Sequence, residues 1–502
     1  MQINHKTYDV IIIGSGVGGS VIAAHLAEKG VNPKNGERLR IAMLEAGPYW
    51  KGAVRPGLGS PRRRQMITNC FSDDAADRMW PWGMVKMVGG STMHYGASVY
   101  LPYPEDYRHW VAEGTDWTEE ACRAAAAEVE RMYNIHAEPD AALSKGSLMF
   151  RDAARALGRD VQKALVARRN CLYCGFCEGG YFCRYDSKMN AMTTYIPLAE
   201  KHGVEIIPDA EAQRVVIEKK GAHHVATGVI FQQRGQTTQL RAEKIVVSAG
   251  VVGTPVLLFK SGYGPKEDLG DKLIVENKNI GRHLDIHAAI LVMAWFDQPI
   301  KDAARGAAPA GHFFLDDAGP NAYGRMRIKD SGMIGVEEPW GLAFSPFAPD
   351  FGREHKQFMK QAPTRRGGTL VVLKKPEGYR GRINLRTAEM EYEGNDTIVK
   401  RLREGGEMSR EILQKMGAKK IIGEDMPPIY HIAHGVSTCR AGSDPKSSVV
   451  NSDFQSHDVE NLFICDGSVQ PRSASGDAVG PLATISALAA QRLIANHFKR
   501  PR

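Results

Sequence analysis

An α/β fold in two joined lobes is predicted by three features of this 502-residue sequence. Residues Tyr8 to Ile13 are a short continuous apolar run, and the GSGVGGSVIAAHLAEKG that follows has helical apolar spacing ending at Gly30. Further strands are expected in Val204 to Lys219 and Ala242 to Gly250, the last running straight into a helix at VVGTPVLLFKSG. From about Leu291 to His431 the texture turns aromatic and Pro-rich, and INLRTAEMEYEG reads as antiparallel strands. Together these predict a Rossmann-like domain built from discontinuous segments, with an α+β substrate lobe containing an antiparallel sheet.

Each remaining element follows from local pattern. RIAMLEAG, Arg40 to Gly47, is a second strand carrying Glu45 near its C-terminal end, reached through the polar, turn-rich KGVNPKNGE. The C-terminal PLATISALAAQRLIANHF has strong helical spacing and is expected to pack back on the first lobe. The resulting organisation is a nucleotide lobe over 1–115, a cysteine-rich insertion over 116–203, the nucleotide lobe resumed over 204–290, a substrate lobe over 291–431, and a C-terminal return over 432–502.

Composition excludes several classes. With 43% apolar residues the chain can bury a sizeable core, and disorder is not expected. The net charge of +8 is dispersed apart from short runs such as PRRRQ and PTRRGG, which read as solvated loops and not as a nucleic-acid face. MQINHKTYDVIIIG has no basic leader or cleavage site, and no run of about 18 apolar residues is present, so no membrane span is expected and the cytoplasm is the default address. In that reducing compartment, close-spaced cysteines point to metal or redox chemistry and not to disulfides.

Gly14, Gly16 and Gly19 have G-x-G-x-x-G spacing between a strand and a helix, where small residues let the backbone approach a pyrophosphate at a positive helix N-terminus. Glu45 is placed to bind ribose hydroxyls; its distance downstream is explained if KGVNPKNGE is an inserted loop. This fingerprint alone leaves NAD and FAD open.

Cys171, Cys174, Cys177 and Cys183 crowd into CLYCGFCEGGYFC. C-x2-C-x2-C repeats the first three ligand positions of a bacterial ferredoxin loop, so three thiolates could hold a 3Fe-4S cluster and recruitment of Cys183 a 4Fe-4S cluster. Structural zinc and simple burial of reduced thiols are the alternatives.

Three further segments, VGGSTMHYGASVYLP, KIVVSAGVVGTPVLLFKSG and HGVSTCRAGSDPKSSVVNSDFQSHDVENLFICDGSVQP, occur in the order found in the glucose-methanol-choline oxidoreductases, which the sequence resembles. The resemblance implies FAD and oxidation of an alcohol, sugar or other polyol. It implies that Gly89, Gly90 and Ser91 pass beside the flavin and pyrophosphate, that Asp466 and Gly467 lie near the ribityl and pyrophosphate groups, and that the backbone of Val216 grips adenine. His94 falls where some members bond a histidine covalently to flavin and others do not. His434, in HGVSTC, matches the catalytic histidine, and its ordinary pKa near ~6.5 suits a proton acceptor. The customary His or Asn companion before the last helix is replaced by Gly480-Pro481, leaving Asp477, Ser475 or Arg472 as substitutes, Asp477 first.

The leading expectation is therefore an FAD-dependent alcohol dehydrogenase. Its electrons are expected to leave singly through an iron-sulfur cluster to a cytochrome, a quinone-linked protein or a ferredoxin. A ferredoxin-fed enone or ketone reductase and a non-redox FAD-containing lyase are the other readings.

Overall fold

The structure is a computed structural model that describes residues 2–50, 85–173, 183, 185–300, 311–315, 325–330, 351–374, 381–392, 396–422 and 431–499. The chain opens with β1 (Gln2–Ile13), α1 (Val17–Lys29) and β2 (Ile41–Leu44), then adds α2 (Pro104–Ala112) and α3 (Glu119–Tyr133). Next come β3 (Glu205–Ile207), β4 (Ala210–Lys220), β5 (His223–Gln233), β6 (Gln236–Val247) and α4 (Gly250–Lys260). β6, β1, β2 and β3 are parallel neighbours, whereas β4, β5 and β6 form an antiparallel meander on the same sheet. Val10 to Ile13 and Ile41 to Leu44 are buried throughout, as strands covered on both faces require. α1 ends where Gly30 supplies the C-cap, its N–H bonding back to the Leu26 carbonyl.

A second sheet is antiparallel. Its strands are β7 (Asp285–Trp295), β8 (Gly311–Leu315), β9 (Met326–Asp330) and β10 (Arg366–Leu373), backed by α5 (Asp396–Lys415), then β11 (Lys420–Ile422) and β12 (His431–Val436). The order is β11-β7-β10-β9-β8, with β12 also pairing with β7 and residues Gln162–Lys163 pairing with β8. Along β9 the pleat sends Met326 and Ile328 into the apolar core under α5, while Arg327 and Lys329 alternate to the opposite side. The expected hairpin in INLRTAEMEYEG is present as a short antiparallel pair, Arg382–Ile383 with Met390–Glu391.

The chain then returns to the first sheet. β13 (Leu462–Ile464) joins β6 in parallel, and α6 (Val479–His497) packs on α1 and α3. Between β12 and β13, residues 437–441 pair their backbone with 467–469. The segment that leaves the antiparallel sheet therefore enters the nucleotide lobe within a few residues of His434. Among the described residues no helix is long and apolar enough to cross a membrane.

Candidate active site

The turn between β1 and α1 is built by backbone contact. A Cβ at Gly14 would lie 2.2 Å from the Ser248 carbonyl oxygen, at Gly18 2.1 Å from that of Cys465, and at Gly19 2.0 Å from that of Gly14. Gly14 also has φ +96°, a backbone region that disfavours any side chain. These three positions let the helix start settle on β6 and the end of β13. Gly16 differs: a Cβ there would meet nothing within 4 Å, so no protein atom fills the space beside the N-cap of α1. That cradle fits a pyrophosphate, because a helix N-terminus presents unpaired N–H groups and positive potential.

Two other segments close around it. Gly90 lies so near that its Cβ would be 2.8 Å from the Gly16 Cα, and the Gly89 N–H donates to Ser15 Oγ at 3.1 Å. Glu45 accepts from the Ser15 N–H at 3.1 Å, from Ser15 Oγ at 2.6 Å and from the Gly47 N–H at 2.9 Å, and burial raises its pKa. Ser91 is exposed in the short turn of 3-10 helix Gly90–His94; the His94 side chain is outside what the structure describes. Asp466 accepts from the Gly250 and Ser468 N–H groups at 2.8 Å each, so it ties the start of α4 to the β13 exit beside Gly467. Val216 lies on β4 next to a register shift between it and Ile217, which interrupts the ladder there.

His434 lies where the two sheets meet. Asp285 pairs with Val436 and His287 with Ala433, so β12 carries one extra residue in the stretch holding His434 and Gly435. That bulge, with His434 at φ 60°, brings the imidazole onto His287 instead of leaving it on the strand's regular alternation. The two Nδ1 atoms are 2.9 Å apart, the rings are nearly perpendicular at 89°, and His287 Nε2 lies 2.7 Å from the Ala474 carbonyl oxygen. Burial pushes the His287 pKa down to about 4, and the positive field of Arg327 adds to this. Burial and the neighbouring His287 carry His434 well below its ordinary value, opposed by the negative charge of Asp477. Both imidazoles are therefore neutral near pH 7.

Asp477 neither caps α6, whose N-cap Ala478 makes no side-chain bond, nor stands free. Its carboxylate pairs with the Arg327 guanidinium and accepts from Lys329 Nζ at 3.2 Å on each oxygen. Although burial opposes ionisation, these two cations hold its pKa well below the usual carboxylate range. The other sequence-stated substitutes are engaged in pinning the loop before α6. Ser475 donates its N–H and hydroxyl to Asp106 Oδ1 at 2.8 and 3.0 Å, and Lys374 donates to the same oxygen at 2.7 Å. Arg472 ion-pairs with Glu113 at 2.9 Å. The absent companion has a steric cause: a Cβ at Gly480 would lie 2.0 Å from the Tyr100 carbonyl oxygen, so backbone fills the place of a side chain.

Of the four clustered cysteines, Cys174 and Cys177 lie outside the described residues. Cys183 is partly buried, which opposes ionisation, yet the N–H groups of Tyr185, Lys188 and Ser187 lower its pKa. Five residues on, Lys188 Nζ donates to the Met93 and Tyr95 carbonyls at 3.0 and 2.9 Å, and the Ala191 N–H donates to Thr92 Oγ1 at 3.0 Å. The segment after Cys183 is thus bonded to the Gly89 to Tyr95 loop. Among the described residues no group of three or more His, Cys, Asp or Glu side chains is arranged around a metal position.

The sequence matches the GMC oxidoreductase family over residues 8–289 with its N-terminal part and 377–489 with its C-terminal part. The chain belongs to the GMC oxidoreductase family, and as such is an FAD-dependent oxidoreductase acting on CH–OH donors. It is 24% identical to a long-chain-alcohol oxidase of Arabidopsis thaliana over 96% of this chain and 67% of the relative, so it spans about two thirds of the plant protein's length. An alcohol dehydrogenase (acceptor) of Pseudomonas putida is 23% identical over 97% of this chain and 96% of its own. The pyridoxine 4-oxidase from Mesorbium loti has the same fold, with a TM-score of 0.70 at 17% identity over 97% of this chain and 99% of that one.

Sequence reasoning missed His287, Arg327, Lys329 and the Tyr100 backbone. A signal existed for the first: Asp285 and His287 are two polar residues, two apart, opening the otherwise apolar DIHAAILVMAW, and both are buried. Nothing local marks Arg327 or Lys329, since alternating basic residues on a strand ordinarily face solvent.

Proposed function

We propose that this enzyme oxidises the hydroxyl group of a sugar, glycoside, other polyol or simple alcohol. The observation that carries the reading is a neutral, partly buried imidazole, His434, held between a cradle fit for a nucleotide and the antiparallel sheet. FAD, when bound, supplies the hydride acceptor. Gly14, Gly16 and Gly19 would hold its pyrophosphate, Glu45 its ribose, the Val216 backbone its adenine, and Gly89, Gly90, Ser91, Asp466 and Gly467 the flavin side, with His94 beside the ring. His434 takes the hydroxyl proton as the C–H bond gives up hydride, and the carbonyl product leaves. Asp477 acts through its field: it favours the imidazolium that forms, while Arg327 and Lys329 keep it ionised. A positioned base of this kind contributes about 10²- to 10⁴-fold in rate.

Cys171, Cys174, Cys177 and Cys183 would hold an iron-sulfur cluster, which supplies a one-electron outlet toward a cytochrome, quinone-linked protein or ferredoxin in the cytoplasm. This part is supported by the ligand spacing, by the N–H groups around the Cys183 sulfur, and by the bonds from Lys188 to the loop beside the flavin cradle. Anaerobic addition of candidate alcohols should bleach the flavin bands of the holoenzyme, and His434→Ala should keep flavin while losing that bleaching. Normal bleaching in His434→Ala removes His434 from the reaction. Zinc without iron or labile sulfide in anaerobically purified protein removes the electron outlet.

A further inference from the structure

The contacts of His287 determine which nitrogen of His434 is free. A carbonyl oxygen only accepts, so the 2.7 Å contact from His287 Nε2 to the Ala474 carbonyl requires a proton on Nε2. A neutral His287 then presents a lone pair at Nδ1. The facing His434 Nδ1 is 2.9 Å away, a distance that two lone pairs would not hold, so it carries the proton and donates it to His287. A neutral His434 with its proton on Nδ1 has its lone pair on Nε2.

We infer that His287 is a positioning residue that locks His434 in the Nδ1–H tautomer, keeping Nε2 free to accept the hydroxyl proton. The inference rests on the alcohol-oxidation reading and adds the device that orients its base. One backbone carbonyl, at Ala474, sets the protonation pattern of two rings in succession. That carbonyl is itself fixed, because Ser473 donates its N–H to Asp285 at 3.0 Å and Ser475 donates its N–H to Asp106 at 2.8 Å. The β12 bulge supplies the other half of the geometry by delivering His434 to the ring that His287 presents from β7. When Nε2 takes the alcohol proton, His434 becomes an imidazolium whose Nδ1–H already points at a lone pair. The positive charge is then shared with His287, and the hydrogen-bond direction need not reverse. The charged groups facing the pair are Asp285, from β7 itself, Asp477 from the loop before α6, and Arg327 and Lys329 from β9. None of these sets the tautomer, because none stands between the two Nδ1 atoms.

The test uses the FAD-loaded enzyme with ¹⁵N-labelled histidine, the His434 resonances being assigned by their loss in His434→Ala. At neutral pH, His434 is expected to show a protonated Nδ1 and an unprotonated Nε2; a protonated Nε2 overturns the inference whatever the enzyme oxidises. His287→Phe keeps ring size but can neither accept from His434 nor donate to Ala474. It is expected to bind flavin, to mix the two His434 tautomers, and to lower the rate of flavin reduction about 10- to 100-fold with little change in KM, within the range a positioned base supplies. His287→Gln offers one acceptor and one donor, and is expected to restore the single tautomer and most of the rate. Should His287→Phe leave the tautomer pure, or His287→Gln behave as His287→Phe does while both bind flavin, His287 is not the lock. Should His287→Phe fail to fold, the wild-type spectrum and His287→Gln still decide. Alcohol-driven reduction that persists in His434→Ala would instead overturn the oxidation reading, leaving the tautomer result standing.

Discussion

Replacing Asp477 with asparagine leaves the buried Arg327 and the half-buried Lys329 with no negative partner on that side chain. Arg327 is 1% exposed, and Lys329 Nζ lies 3.2 Å from each carboxylate oxygen. At an effective dielectric constant of about 20, that separation gives roughly 5 kcal/mol of Coulomb attraction for the lysine alone. Asparagine keeps the volume and one oxygen acceptor, so the net loss falls near the ~3–5 kcal/mol typical of breaking a buried pair. Urea unfolding followed by circular dichroism measures it, and Arg327→Met added to Asp477→Asn should recover part of the loss, since it removes one stranded cation. The sign with pH follows from the depressed pKa of Asp477. Its stabilisation is complete above the unfolded carboxylate pKa of ~3.9 and is lost only as pH falls through the lower folded value. The difference between wild type and variant should therefore be flat across neutral pH and shrink only in strong acid. A loss below about 1 kcal/mol at pH 7, the scale of an exposed pair, would refute the view that this carboxylate holds the two cations in place.

Other expectations are as direct. Gly480→His, which installs the family's customary companion, should destabilise by about 1–3 kcal/mol or more and gain no rate, because its Cβ meets the Tyr100 carbonyl at 2.0 Å; a stable, faster variant would contradict this. Gly16→Ala should fold like wild type but release FAD more readily in dialysis, whereas Gly14→Ala should lose stability itself, since only the second meets protein atoms; equal melting of both would refute the distinction. His287 has a folded pKa of about 4 against ~6.5 unfolded, so its contribution is complete above pH 6.5 and is lost as pH falls toward 4. About 3 kcal/mol of acid-dependent stability should therefore be missing from the pH profile of the urea midpoint in His287→Gln, and identical profiles would show that His287 titrates normally.

What was legible in the sequence was what neighbouring residues determine together. The strand, glycine turn and helix from Tyr8 to Gly30 are local in sequence, and their apolar period reports which faces are covered. Gly14, Gly16 and Gly19 were readable as a cradle, though not which of them packs protein and which faces open space. His434 was recognisable within HGVSTC, and the missing companion was visible as Gly480-Pro481. Asp477 was singled out from the sequence, but its two cationic partners were not, because Arg327 and Lys329 look like ordinary surface residues of a strand.

The sequence by itself therefore determined the two-lobed α/β class, the family and the elements that carry its motifs, since these depend on spacings of a few residues. Tertiary structure alone decided the chemistry of the site. His287 and His434 are 147 residues apart and Asp477 and Arg327 150 apart; the bulge of β12 joins the first pair, and the loop before α6 meeting β9 joins the second. Burial strips water from His287 and Asp477 and from part of His434, so the state of each is set largely by the groups it touches. Such contacts have no period along the chain, and for that reason no pattern in the sequence announces them.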